Sequence, residues 1–372
     1  MSIVLAVVGI LLALPTTAEE DAGPWSFRLY FDGGYGASST EPDNGLWRSK
    51  GTTFKLDSPQ LNLAMGVARK KPTAQSRWGV SFGLQTGVDT ENLVTSSPPP
   101  ENEPISQAET LRHLYRANFS YLFSAGSGLR LTAGLINSYV GYESYLAIEN
   151  PNYTRGYILD TVPYFLVGVE TAYSPSDVVD LGFYVVTGFN YLADPNDDPS
   201  FGFSVAWQAI PGLTLRQNLY YGPDQVDASL EFWRFLSDTI VEWKTDHFLL
   251  AAAFDYGTEK RAAEAGQPRD DWISAALWAR WLIGDHWSLG LRPEFLQDDG
   301  GLATASEQRL RAFAATLKYE FRPARHNRLV ASLEVRTDRS TGDGGGFYEG
   351  PDNDLVEDQS LVLLGLLWSF DR

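Results

Sequence analysis

The chain has 372 residues, no cysteine and a formal net charge of -18 at pH 7. Without cysteine it has neither a disulfide framework nor a thiolate metal or redox site, and its acidic balance argues against binding a nucleic-acid backbone. Aromatic residues make up 13% of the sequence, including 11 Trp, which is more than a soluble core of this size usually requires. No Pro/Ser-rich linker or change in composition divides the chain, so we expect one domain.

The amino-terminal segment has the pattern of a secretory signal peptide. An apolar run, Ile3–Pro15, is followed by Thr-Thr-Ala and then by the acidic Glu19, although no Lys or Arg precedes it. The run is shorter than the roughly 20 residues that a membrane-spanning helix needs, and we predict a signal peptide over 1–18 and a mature domain over 19–372. The longest later apolar run, Leu361–Trp368, is also too short for such a helix.

Alternation of apolar and polar side chains predicts β-strands along the mature chain. Between residues 112 and 123, for example, Tyr115, Phe119 and Tyr121 alternate with Arg116 and Ser120, and a Gly-rich turn leads to a second alternating segment. Side chains in a strand point to opposite faces with a period of two, so this is a hairpin with one apolar and one charged face. The same pattern predicts sixteen strands, near 25–31, 59–69, 76–87, 112–123, 129–135, 163–173, 178–190, 200–208, 212–221, 230–243, 248–257, 271–282, 286–296, 308–321, 327–337 and 359–370.

The connections between these strands alternate between short and long. A β-sandwich with Greek-key connections has no reason to show this alternation, whereas bacterial outer-membrane barrels combine tight periplasmic turns with long external loops. We therefore predict an all-β, transmembrane, antiparallel up-and-down β-barrel of about 16 strands, located in the outer membrane of a Gram-negative bacterium. The predicted short turns are 70–75, 124–128, 174–177, 209–211, 244–247, 283–285 and 323–326, and the long loops include 37–57, 88–106, 137–162, 258–270 and 338–358.

Aromatic residues concentrate near the short-turn ends of the predicted strands, as in the interfacial girdle of a membrane barrel. The last strand ends in an outward row that finishes with Trp368 and Phe370, and it resembles the terminal strand that such barrels present to the barrel assembly machinery. We expect this machinery, outer-membrane lipid and lipopolysaccharide as partners. The girdle residues are Trp25, Tyr121, Phe123, Tyr173, Trp207, Trp243, Trp281, Trp287, Tyr319, Phe321, Trp368 and Phe370.

Many ionisable residues occupy the face opposite the apolar one. Such charges are too costly for a dry core, and a barrel of sixteen strands leaves an aqueous lumen, so the simplest prediction is a water-filled channel. A second interpretation stays open, in which these groups pair across strands and the lumen is plugged. The predicted pore-lining residues are Arg28, Arg77, Arg112, Arg116, Arg130, Arg216, Arg234, Arg280, Arg292, Glu294, Asp238 and Arg336.

The loop at 137–162 is long and carries both tyrosines and charges. The sequence leaves two placements open: the loop folds into the lumen as a constriction, or it caps the outside. Its candidate constriction residues are Glu143, Glu149, Tyr153, Arg155 and Asp160. The other long loops are acidic, either as plain solvated segments or as sites where divalent cations bridge them to lipopolysaccharide.

The chain shows no pattern of a catalytic or cofactor site. His247, His286 and His326 fall at short turns, and His113 has no Ser two residues away on its face to form a nucleophile and base pair. The sequence also lacks a phosphate-binding Gly loop, a zinc spacing and an EF-hand loop. We expect no enzyme activity, no cofactor and no metal.

Several segments resemble the β-barrel porin-2 (OmpL-like) family: Gly141-Tyr142-Glu143, Asn152-Tyr153-Thr154-Arg155, residues 162–168, Tyr220-Tyr221-Gly222-Pro223-Asp224 and Arg292-Pro293-Glu294-Phe295. The resemblance implies an outer-membrane pore for passive passage of small solutes or ions, without catalytic residues. Two other functions stay open, a plugged structural or adhesive barrel acting through its acidic loops and a soluble carbohydrate-binding β protein. The solute, the ion selectivity and the oligomeric state do not follow from the sequence.

Overall fold

The computed structural model describes residues 24–93, 111–261, 266 and 268–372. The predicted signal peptide, residues 1–18, lies outside the described residues. Within these described ranges, no helix combines the length and apolar character needed to cross a bilayer.

Sixteen antiparallel strands close into one barrel, and each predicted strand is confirmed. Consecutive strands pair with each other, and the last strand, β18, closes the barrel between β1 and β15. The sequence did not predict the separate two-stranded hairpin of β16 and β17, which lies within the loop after β15. The strands are β1 Trp25–Ser38, β2 Gln60–Lys70, β3 Trp78–Thr86, β4 Leu114–Phe123, β5 Leu129–Asn137, β6 Phe165–Ser176, β7 Val179–Val186, β8 Ser200–Ile210, β9 Leu213–Pro223, β10 Trp233–Lys244, β11 Phe248–Glu259, β12 Asp270–Ile283, β13 Trp287–Asp298, β14 Gln308–Phe321, β15 Asn327–Thr341, β16 Phe347–Glu349, β17 Asp354–Val356 and β18 Asp358–Asp371.

The outer face of the barrel is an exposed apolar belt. Trp207, Trp243 and Trp287 at the short-turn ends are 47%, 48% and 45% exposed, and aliphatic side chains follow them along the strands. Such a face fits hydrocarbon, while the indole N–H groups suit the membrane interface. The short turns are tight: Gly212, between β8 and β9, has a φ of +84°, which favours glycine.

Tyr115 departs from the alternation that the sequence predicted. The pairing of β3 with β4 shifts between Gly83 and Leu84, so that Tyr115 becomes the extra residue of a bulge. Its ring stacks on Tyr145 inside the barrel, with 6.5 Å between the ring centroids, and does not join Phe119 on the outer face. A β-bulge changes the face on which a side chain lies, and the period-two pattern contains no sign of it.

The buried core of the molecule lies inside the barrel, around the segment that joins β5 to β6. We call this segment, residues 138–164, the inner loop. It contains a 3₁₀ turn, Ala147–Glu149, and a single helical turn, α1, at Tyr157–Asp160. Buried side chains of the inner loop share one apolar cluster with inward-facing residues of the wall, among them Leu63, Leu236, Leu310, Leu363 and Leu367.

Candidate functional site

The inner loop is anchored to strands on several sides of the barrel. The Tyr153 hydroxyl donates to Asp32 on β1 at 3.1 Å, and the Gly141 amide donates to Asp238 on β10 at 2.7 Å. The Tyr157 amide donates to Glu294 on β13 at 2.6 Å. Of the two placements that the sequence left open, the loop therefore takes the one inside the barrel.

Arg155 joins the inner loop to acidic groups near the outer end of the barrel. Its guanidinium is fully buried, forms an ion pair with Asp89 and lies 3.7 Å from an oxygen of Asp32. Asp89 follows β3 in a 3₁₀ turn and also accepts a hydrogen bond from the Thr53 amide at 2.6 Å. Burial raises the pKa of Asp89 to about 6, although Arg155 opposes the rise. This cluster pairs the two acids with one arginine.

A second buried ion network holds the middle of the inner loop. Glu143 accepts hydrogen bonds from Arg292 on β13 at 2.8 Å and from the indole of Trp278 on β12 at 3.1 Å. Arg336 on β15 lies 2.7 Å from Glu294, and Arg292 lies 3.4 Å from the same carboxylate. The wall arginines therefore neutralise acids of both the loop and the wall.

The sequence predicted that four inward residues contact open water, but the structure buries them. They are Arg292, Glu294, Arg336 and Asp238. All four point inward as predicted, but they are 0%, 7%, 1% and 0% exposed. The inner loop lies against them and takes up their hydrogen bonds, so they hold the loop to the wall. Sequence parity gives the face of a residue but not what covers that face.

Two further anchoring residues were not among the predicted site residues. The Lys318 ammonium on β14 donates to three carbonyls of the inner loop, those of Ala147, Asn150 and Asn152, at 3.0, 2.6 and 3.0 Å. Glu334 on β15 accepts from the Tyr153 amide at 2.8 Å. Parity puts both side chains inside, but only tertiary packing shows that they bind a loop backbone.

The loop between β1 and β2, residues 39–59, packs onto the inner loop from the external side. The indole of Trp47 donates to the Tyr157 hydroxyl at 3.1 Å. Lys50 donates to the Arg155 carbonyl at 3.0 Å and forms an ion pair with Asp160. Burial lowers the pKa of Lys50, and the Asp160 carboxylate opposes that shift. The predicted loop residues Glu143, Tyr153, Arg155 and Asp160 thus all lie within packed structure.

The opposite side of the lumen contains open space. Two adjoining cavities of about 680 and 230 Å³ lie along the inner surface of β2 to β9. A third, of about 410 Å³, is lined by β1, β2, β4 and the last two residues, and Arg69 lines all three. We call the surface along the cavities the open side, and the inner loop together with the wall and loop residues that it buries the packed side. The first two cavities also share Tyr139, from the inner loop, and Glu170.

The predicted lining residues divide between these regions and the barrel ends. Arg116, Arg130 and Arg216 line the cavities of the open side, and Arg28 lines the third while forming ion pairs with Glu149 and Asp371. Arg77 donates to Ser124 at the short turn, and Arg112 precedes β4. Arg234 pairs with Asp224 and Glu259, and Arg280 faces inward on β12 opposite Leu249.

The histidines make structural contacts to the backbone. The Nδ1 atoms of His113, His286 and His326 lie 3.0, 3.0 and 2.7 Å from carbonyl oxygens. In the part of the chain that the structure describes, no group of three or more His, Cys, Asp or Glu residues is arranged to hold a metal ion.

The sequence over residues 24–370 matches the family described as "Putative beta-barrel porin-2, OmpL-like". The chain belongs to this family. It is a bacterial outer-membrane barrel of the porin type, and the resemblance read from its sequence is confirmed.

Solved structures of outer-membrane proteins share the fold. A loop L8 deletion mutant of OmpT from Vibrio cholerae matches with a TM-score of 0.55 at 10% identity, over 95% of this chain and all of that one. Salmonella typhi OmpF in complex with daunomycin gives 0.56 at 9%, over 93% and 97% of the two chains. An anion-selective porin from Comamonas acidovorans gives 0.54 at 11%, over 93% and 99%. No curated protein matches this sequence.

Proposed function

We propose that this family member is a channel for passive diffusion of small hydrophilic solutes or ions across the outer membrane. The observation that carries the proposal is the open side, where three adjoining cavities run along a wall of polar and charged side chains. Membership of a porin family supports it. Solutes pass beside the inner loop, which fills the rest of the cross-section and sets the size limit.

The protein acts without covalent catalysis. Nucleophilic catalysis needs a nucleophile and a base within hydrogen-bond reach. In the sequence, His113 has no Ser two residues away on its strand face to form such a pair, and the other three histidines fall at short turns. The exposed belt contacts outer-membrane lipid and lipopolysaccharide, and the terminal strand β18 is the segment that we expect the assembly machinery to bind.

A second function, a plugged barrel with a structural or adhesive role, is favoured by one observation. The inner loop and the loop at 39–59 fill the packed side with buried contacts, as a plug would. In this alternative the cavities of the open side are closed at one end and the external loops carry the activity.

Conductance of the purified protein in planar lipid bilayers separates the two. The channel gives stable current steps of constant size in 1 M KCl. Protein that is inserted and folded, as judged by its heat-modifiable migration on a gel, yet gives no steps would overturn the channel proposal in favour of the plugged barrel.

A further inference from the structure

The two sides of the lumen differ in how their charges are balanced. On the packed side, four acids near the inner loop have a cationic partner, whereas Asp238 accepts hydrogen bonds from the Gly141 amide and from Asn218. Arg155 faces Asp32 and Asp89, Arg292 faces Glu143, and Arg336 faces Glu294. These charges are buried against each other and cannot act on a solute that passes elsewhere.

The open side carries an excess of positive charge. Its cavities are lined by Arg69, Arg116, Arg130 and Arg216, whereas Glu170 is the acid that lines both of the first two. The remaining charged residues that line the three cavities are Lys70, Lys71, Asp180, Arg28, Asp371 and Arg372.

Three arginines of this side, Arg69, Arg116 and Arg216, have no carboxylate partner among the described residues. Glu170 lies 3.4 Å from Arg130, and the Arg116 Nε donates to the neutral amide oxygen of Asn137 at 2.9 Å. Asp180 accepts a hydrogen bond from Ser174. Among the described residues, no carboxylate comes within ion-pair distance of Arg69 or Arg216. Arg116 and Arg130 repel Arg69 electrostatically, whereas Glu170 attracts it.

Unpaired cations in a narrow aqueous space between low-dielectric walls concentrate anions there. Guanidinium groups in particular match the geometry of carboxylates and phosphates, to which they donate two parallel hydrogen bonds. Arginines that are held close together repel one another, and an anion bound between them reduces this repulsion.

We infer that the open side is an anion path, and that its solutes are small oxyanions of the carboxylate or phosphate class. Arg69 is its central residue because it borders all three cavities. The inference rests on the proposed channel function and adds the class of solute. The net charge of -18 is compatible with it, because four acids of the packed side have arginine partners and many of the others lie on external loops.

The test is the reversal potential of single channels under a tenfold KCl gradient, for the wild type, for the variants Arg69→Gln and Arg216→Gln, and for the double variant that combines them. We expect a permeability for chloride above that for potassium, reduced at least about twofold in the double variant. The double variant Arg309→Gln/Arg311→Gln is the matched control, because both arginines lie exposed on the outer face of β14 and their loss changes the net charge equally. Its selectivity is expected to match that of the wild type.

Two further measurements identify the class of anion. Replacing chloride by phosphate and by acetate should leave measurable currents that fall in the Arg69→Gln variant. Current steps that are cation-selective, or a selectivity that the double variant leaves unchanged, would overturn the anion path while the channel function stands. The absence of steps from folded, inserted protein would overturn both.

Discussion

The packed side and the open side are built from the same alternating strands, yet they differ in what their inward residues do. On the packed side, many inward positions are either apolar, such as Leu363 and Leu367, or charged and paired, such as Arg336 and Glu294. On the open side they are small polar groups and arginines, such as Ser204 and Arg130. One face of a barrel wall can thus serve as a protein core in one sector and as a wet surface in another.

The largest expected effect comes from removing the inner loop. Asn137 and Phe165 are directly paired across β5 and β6, so a short Gly-Ser turn can replace residues 140–162 without moving the strands. If the loop fills half of the lumen, single-channel conductance should rise at least about twofold, since an aqueous pore conducts in proportion to its open section. Unchanged conductance in planar bilayers would show that the loop does not narrow the path. Insertion and strand content, checked by circular dichroism, serve as the control.

A matched pair of arginine substitutions compares the energetics of the two sides. Arg155→Met leaves Asp32 and Asp89 buried without their cation, which should cost about 3–5 kcal/mol of the free energy of unfolding. Arg216→Met on the open side removes no ion pair and should cost less than about 0.5 kcal/mol. Urea unfolding in lipid vesicles measures both. Equal losses would contradict the division of the lumen into two kinds of surface.

A glycine on β18 tests how closely the inner loop packs on the wall. A Cβ at Gly365 would collide with the Tyr153 ring, so Gly365→Ala should cost about 1–3 kcal/mol through overpacking. Gly66→Ala is the control, because its Cβ would meet only a flexible Leu29 methyl at 3.3 Å. If both variants unfold at the same urea concentration, the loop is not held against β18 as described.

The smallest expected effect is a pH dependence from Asp89. Burial raises the pKa of this carboxyl from its ordinary value to about 6, so the folded chain holds a proton that the unfolded chain releases between about pH 4 and 6. The stability from this group is complete below pH 4 and is lost as the pH rises through about 6. Asp89→Asn should therefore flatten the fall in thermal stability across that window. If the thermal stability of the variant falls with pH as steeply as that of the wild type, Asp89 is not the source of the pH dependence.

The sequence predicted the barrel because its two strongest signals, period-two alternation and alternating loop lengths, are local. It missed the bulge at Tyr115, which no change in the alternation marks. The sequence also could not predict which inward charges are buried. Arg292 and Arg116 both lie on the inward face by parity, and they differ only in whether a distant loop covers them. One signal was available: Leu361, Leu363 and Leu367 make β18 apolar on its inward face as well, which a water-lined wall would not need.

The most direct test of the divided lumen uses the absence of cysteine from the sequence, since every introduced thiol is then unique. Ala172→Cys and Ala206→Cys place thiols on the open side, and Ala253→Cys and Ala314→Cys place them on the packed side. In the folded protein in bilayers, a water-soluble methanethiosulfonate should label the first pair and reduce the current through it. The second pair should stay unlabelled until the protein is denatured. Equal labelling of both pairs, or labelling of the packed side alone, would contradict the account.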